Sequence, residues 1–272
     1  MELYLAGENG KSKTMELYLT GENGKSKTME LQFIEKIKSP LWQNISVLES
    51  FFYVRKNTVF PKLYKAGIFK NVLLDSGAFT FMQSNKTNVN WEQYVNEYAD
   101  FINRYDIKNY FELDIDKIIG LDKVEKIRDR LFMLTGKQPI PVWHINRGKQ
   151  YFIDMCQKYD YVALGGYVIK EIKRDNFEKI IPFFIKIAHE NKSKIHGLGY
   201  TRLENLPKHK FDSVDSTAWL YGNRAGYIYK FNPKKVNFDK ISKENTRLKP
   251  SLSAIYNFNE WLKYQEFARK NL

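Results

Sequence analysis

The stretch "NYFELDIDKIIG", residues 109 to 120, decides how this chain folds. Read as a β-strand, "FELDID" alternates, so Phe111, Leu113 and Ile115 face one way and Glu112, Asp114 and Asp116 the other. An ordinary amphipathic strand would turn its acidic side to water. Here an aromatic pair precedes the acids and "KIIGL" follows them, which marks an interior element between helices. Three carboxylates on one side of such an element are costly unless something satisfies them.

The neighbouring segments supply a setting. Short apolar strands are expected at 71–75 ("NVLLD"), 110–116 ("YFELDID"), 140–144 ("IPVWH"), 161–166 ("YVALGG"), 194–199 ("KIHGLG") and 211–216 ("FDSVDS"). Between them, residues 90–105, 121–136, 148–159 and 176–191 carry apolar side chains at three- and four-residue spacing, the mark of amphipathic helices. "TNVNWEQY" and "RDNFEK" offer Asn or Asp caps, and "TGKQP" closes a helix with Gly and then Pro. Strand and helix alternating without a break imply a parallel sheet. Six such strands, with one or two more in the first 60 residues, point to an α/β fold of the (β/α)8 TIM-barrel type, with a doubly wound sheet as the other solution. No Pro/Gly/Ser linker divides the chain, so a single domain over 29–230 is expected, followed by a basic segment at 231–272 that ends in a helix.

The N-terminus repeats itself: "MELYLAGENGKSKT" (1–14) is followed by "MELYLTGENGKSKT" (15–28). Two copies are too few for a solenoid. Each begins with methionine, which reads as a duplicated start, with one "ELYL" a first strand and the rest of 1–28 a loose tail. "GENGKS" lacks the spacing of a phosphate-binding loop, because Gly7 and Gly10 stand too close.

With 272 residues, 43% of them hydrophobic, the chain can bury a sizeable core. No apolar run approaches the ~18 residues of a membrane span, and no signal-peptide core is present. Cys156 is the only cysteine, which excludes an internal disulfide and a Cys-rich zinc site and suits the reducing cytoplasm. A formal charge of +13 suits a polyanionic partner, above all nucleic acid. In "YIYKFNPKKVNFDK" (227–240) basic residues interleave with aromatics, a mixture fit for phosphate contact and base stacking; the plain alternative is solubility.

In a (β/α)8 barrel the chemistry sits where the strands end. The strand ends here carry Asp75, Asp114 with Asp116, His144, Gly165 with Gly166, His196 with Gly199, and Asp215. A barrel also gives the acidic face of "FELDID" a place: Phe111, Leu113 and Ile115 would face the helices, and Glu112, Asp114 and Asp116 the barrel interior and its mouth. Asp75 and Asp215 can divide glycosidic chemistry, one attacking the anomeric carbon while the other moves protons. Each can equally be a helix cap. The carboxylates and histidines show no tight metal-ligand spacing.

The order of these segments, from about residue 70 to 220, resembles the tRNA-guanine transglycosylase superfamily, including its DNA-acting, phage-associated branch that handles 7-deazaguanine bases. "LLDSGAF" is similar to the family's D-S-G-G-(F/Y) motif, with Ala78 in place of the second glycine. The resemblance implies that Asp75 is an acid/base and that Phe79 stacks on the base. "FELDID" resembles the strand whose Asp reads the guanine edge, here Asp114. "PVWH" stands where the family has V-Q-G-G, so His144 replaces a base-reading glutamine. "LGGYV" resembles the G-G-L motif, placing the Gly165 and Gly166 backbone at the base carbonyl. "HGLG" is similar to M-G-(V/I)-G, with His196 under the base, and "FDSVDST" to V-D-x-F-D-C, with Asp215 the nucleophile.

The function so implied is base exchange: a guanine in nucleic acid, DNA in preference to tRNA, is replaced by a free 7-deazaguanine-type base through a covalent Asp–sugar intermediate, without metal or redox cofactor. The family's three-Cys, one-His zinc subdomain is ruled out by the single cysteine. The rival functions are a nucleic-acid N-glycosidase or nucleosidase on the same barrel, and a non-catalytic nucleic-acid-binding subunit. A basic α/β protein whose strand-end carboxylates only cap helices is the plainest alternative.

Overall fold

In the computed structural model, strands and helices alternate in a mixed α/β chain whose secondary structure is described for residues 1–6, 44–56, 59–77, 80–81, 89–167, 171, 173–200, 202–220, 222, 226–241 and 250–272. In chain order the elements are β1 (Glu2–Ala6), β2 (Ile45–Ser50), α1 (Phe51–Val54), α2 (Val59–Lys65), β3 (Phe69–Asp75), α3 (Trp91–Arg104), β4 (Asn109–Tyr110), α4 (Asp116–Ile119) and α5 (Leu121–Thr135). They continue with β5 (Val142–Trp143), α6 (Gly148–Lys158), β6 (Tyr161–Leu164), α7 (Arg174–Glu190), β7 (Lys194–Gly197), α8 (Leu206–His209), β8 (Ser213–Ser216), β9 (Tyr229–Asn232), β10 (Asn237–Lys240) and α9 (Pro250–Asn271). The chain divides into two compact units, one of Met1–Val47, Asn57–Asn71 and Tyr200–Leu272, the other of Leu48–Lys56 and Val72–Gly199.

In the first unit β1 pairs in parallel with β8, Glu2 opposite Ser213 and Tyr4 opposite Asp215. The first "ELYL" is thus a strand; the second copy and "GENGKS" lie outside the described residues. Helix α9 seals β1 and the start of β2 through one buried amide. Gln265 Nε2 donates to the Leu3 and Ser46 carbonyls at 2.7 and 2.8 Å, while its Oε1 accepts from the Ser46 N–H at 3.1 Å. The buried amide thus meets three backbone groups of the two strands, which offsets its desolvation. Strands β9 and β10 form an antiparallel hairpin. Two of its aromatics pack on α9: Phe231 lies 5.1 Å from Tyr264 and 5.3 Å from Phe267, and Phe238 stacks on Trp261 at 4.6 Å, all three partners on α9. Phe231 and Phe238 are half-buried by these contacts, whereas Lys234, Lys235 and Lys240 are exposed.

The second unit is a parallel sheet with helices between its strands. β3 pairs with β4, a bridge joins Phe111 to Ile140 ahead of β5, β5 pairs with β6, and β6 with β7. Helix α3 forms where its spacing predicts. The Asn90 side chain accepts from the Gln93 N–H, and Tyr94, Val95, Tyr98, Ala99, Phe101 and Ile102 make the buried stripe. Gly136 ends α5 in the left-handed conformation at φ 66°, as the Gly-then-Pro signal requires. Helix α7 begins at Arg174, ahead of the Asp and Asn proposed as its cap, and carries Pro182 inside.

The deciding stretch departs from expectation twice. Its strand stops early: only Asn109 and Tyr110 join the ladder with β3, Phe111 makes the bridge, and α4 begins at Asp116. Its faces are also reversed. The Phe111 ring meets the His196 ring of β7 at 5.3 Å, and Glu112 is the residue that points at a helix. Tyr110, two residues earlier on the same face, bonds Thr135 and Lys137 at the end of α5. Arginines make this possible. Glu112, with no exposed surface, accepts from Arg128 of α5 at 2.9 Å, from Arg147 at 2.6 Å and from the Val142 N–H at 2.9 Å. Arg147 also holds Asp116 at 3.1 Å, so Asp116 too is spent in this ion network.

Candidate active site

Five parallel strand ends in the second unit carry the polar residues. β3 ends in Asp75, whose Oδ2 accepts from the Gly77 N–H at 3.0 Å in a tight turn. Gly77 is required there. Its φ is 79°, and a Cβ would fall 2.4 Å from Phe52 Cβ and 3.0 Å from Ser50 Oγ. Two tyrosines of α3 brace this end. Tyr94 donates to the Ser76 carbonyl at 2.6 Å, and the Tyr98 hydroxyl lies 3.0 Å from both the Leu74 and the Phe111 carbonyls, tying β3 to β4.

Asp114 follows β4 and His144 follows β5, and the structure brings the two together: His144 Nε2 lies 3.1 Å from Asp114 Oδ2. The other ring nitrogen, Nδ1, lies 3.2 Å from Glu171 Oε2, and Glu171 is in turn paired with Lys117 of α4. Lys117, Glu171, His144 and Asp114 thus form a chain of alternating charge. Burial works against a charged imidazole, but hydrogen bonds to Asp114 and Glu171, and their charges, outweigh it and raise His144 to about 9. Burial likewise opposes ionisation of Glu171, yet His144 and Lys117 bring it down to about 2. At neutral pH the ring is an imidazolium donating from both nitrogens.

The glycine pair after β6 is explained by the same cluster. A Cβ on Gly165 would stand 2.8 Å from His144 Cε1 and 3.0 Å from the Trp143 carbonyl oxygen. One on Gly166, at φ 87°, would stand 2.8 Å from Glu171 Oε2. Both positions leave room for the charged chain, whatever else their backbone contacts. Asp114, His144, Gly165 and Gly166 therefore form one neighbourhood, with Asp75 one strand away. His196 sits deeper, on β7, fully buried against Phe111. Phe79 lies outside the described residues. Asp215 belongs to the first unit, within β8 and opposite Tyr4, with 6% of its surface exposed.

Two carboxylates escaped the sequence reading. Glu171 stands in "VIKEIKR", where a single acid among lysines reads as solvated surface, yet its side chain is buried. Glu49 comes one residue before the end of β2, its neighbours Ser50 and Phe52 pressed on Gly77, and it has no hydrogen-bond partner among the described residues. Burial alone pushes its carboxyl up to about 8. Among the described residues no cluster of three or more His, Cys, Asp or Glu side chains could hold a metal ion, and no helix is long and apolar enough to cross a membrane. Compared with known proteins, the chain matches no family model and no curated protein.

Proposed function

We propose that this protein is a base-exchange transglycosylase acting on nucleic acid, DNA in preference to tRNA, built on a single (β/α)8 barrel. The observation that carries the reading is the Asp114–His144 pair at the glycine-lined ends of β4, β5 and β6, 3.1 Å apart and beside the Asp75 turn. A carboxylate held by a cation is a fixed acceptor, suited to the N–H donors of a guanine edge. Asp215 attacks C1′ of the target nucleotide, the glycosidic C–N bond breaks, and its electron pair leaves with the base. Asp75 protonates the departing base and later takes the proton of the incoming 7-deazaguanine-type base, whose nitrogen displaces Asp215. Two inversions retain the β-configuration. In this reading Gly165 and Gly166 offer their backbone to the base and Phe79 stacks on it, which offsets the few kcal/mol that taking a base out of a duplex costs, while His196, fully buried against Phe111, is a packing residue. The exposed lysines hold the phosphates.

The test is incorporation of labelled guanine, or a labelled 7-deazaguanine, into tRNA or duplex DNA. Asp215→Ala and Asp75→Asn serve as controls. The asparagine keeps an acceptor oxygen for the Gly77 N–H but cannot relay the proton, so the turn survives while exchange is lost. Release of free base without incorporation would favour the glycosidase reading instead. Exchange that persists in both variants would refute the assignment.

A further inference from the structure

We infer that Glu171 is a positioning residue, which through His144 fixes the orientation of the Asp114 carboxylate for a bound base, and that His144 does not itself contact the base. The inference rests on the base-exchange reading above. Its warrant is the use of every polar atom on the imidazole. Nε2 is engaged by Asp114 at 3.1 Å and Nδ1 by Glu171 at 3.2 Å, which leaves the ring no free donor and, as a cation, no acceptor. A base edge arriving at this cluster meets Asp114, of which Oδ2 alone is taken by His144.

Glu171 is built into its place from several sides. Its backbone N–H donates to the Gly166 carbonyl at 3.1 Å, its Oε2 also faces the Ile145 N–H at 3.4 Å, and Lys117 holds its Oε1. Gly166 lacks the Cβ that would displace it. The side chain is only 6% exposed, so this is a buried anion with a specific cationic partner and not a solvated charge. A glutamine in place of His144 would carry no charge and would donate only from its amide nitrogen, its carbonyl oxygen being repelled by a facing carboxylate. The charge of the histidine is supported from both sides, by Asp114 and by Glu171 behind it. The charged groups facing His144 are Asp114 after β4, Glu171 after β6 and, at longer range, Asp116 of α4, with Lys117 and Arg147 one partner further out.

Glu171→Gln removes the charge and keeps the shape. His144 is one of four histidines, so its imidazole resonance can be assigned by its loss in His144→Gln. In Glu171→Gln it should titrate at least one pH unit lower, as expected for loss of a close opposite charge. The KM for free base at pH 8 should rise about tenfold with kcat within about threefold, the pattern of lost ground-state positioning. Lowering the pH to 6 should recharge the ring and restore KM, a rescue that a merely structural role would not give. Lys117→Met removes a cation and leaves the Glu171 carboxylate in place, so there His144 should titrate no lower than in the unaltered protein, which makes it the control; Glu171→Met serves if Glu171→Gln folds poorly. An unchanged His144 titration in the Glu171 variant overturns the inference, and so does a lowered titration with KM unmoved at pH 8. If the unaltered protein neither exchanges nor binds base, the functional reading falls and this inference with it. That result is told apart because it needs no variant.

Discussion

Replacing Glu112 with glutamine should unfold the protein more readily without touching its chemistry. The side chain has no exposed surface, and its two oxygens take three donors, from Arg128, Arg147 and the Val142 N–H. Arg128 and Arg147 are themselves 3% and 0% exposed at the side chain, so neither guanidinium can turn to water. Breaking a buried pair by removing one partner costs about 3–5 kcal/mol, because a charge is left uncompensated. Here Asp116 still holds Arg147 and Glu125 still reaches Arg128 at 3.3 Å, which places the expected loss near about 3 kcal/mol, the lower end of that range. The glutamine also brings an amide donor among three donors, which opposes any relaxation. Urea denaturation at pH 7 gives the number directly, and Glu125→Gln, on a 40% exposed side chain, is the control, expected to cost less than about 1 kcal/mol. A loss below about 1 kcal/mol for Glu112→Gln would refute the buried network. Unchanged stability with abolished base exchange would return Glu112 to the pocket, where the alternation of the sequence first put it.

Stability should fall as pH rises through the alkaline range. His144 is raised from 6.5 to about 9, so the native state holds an extra proton between those values; its contribution is complete below 6.5 and gone above 9. At about 1.4 kcal/mol per pH unit the loss is at most about 3 kcal/mol, and urea midpoints at pH 6 and 9.5 should lie closer together in His144→Gln than in the unaltered protein. Glu49, raised from 4.5 to about 8 by burial, destabilises the fold once ionised, so Glu49→Gln should be the more stable protein at pH 9 and near neutral in effect at pH 5. In the hairpin, Phe238→Ala should cost about 2 kcal/mol by opening its stack on Trp261, measured by the same denaturation. Changing exposed Lys230 and Lys234 to glutamine should leave stability alone and lower the salt dependence of nucleic-acid binding by about two phosphate contacts.

The layout of elements was legible because helix and strand periods are local. Six apolar runs became β3 to β8, and the caps at Asn90 and Gly136 are where their residue types ask for them. A period of two, however, tells which residues share a face and not which face looks inward. For "FELDID" that choice was made by Arg128 and Arg147, 16 and 35 residues beyond Glu112. The same indeterminacy holds for "YIYKFNPKKVNFDK", where Phe231 and Phe238 pack on α9, Tyr227 and Tyr229 stay half-buried, and the lysines are exposed. Glu171 was illegible for a related reason, since its meaning depends on a histidine 27 residues earlier and a glycine pair that leaves it space. A usable signal was nonetheless present. Arg128 occurs in "KIRDRLF", on the buried stripe of α5 with Val124 and Leu131, and an arginine on an apolar stripe demands a buried anion. The nearest unexplained carboxylates in the chain were those of "FELDID". Matching the cation on a helix's inner face to the acids on the strand before it would have turned Glu112 outward from sequence alone. Asp114 would then have been left as the acid still in need of a partner, which is how the structure finds it beside His144.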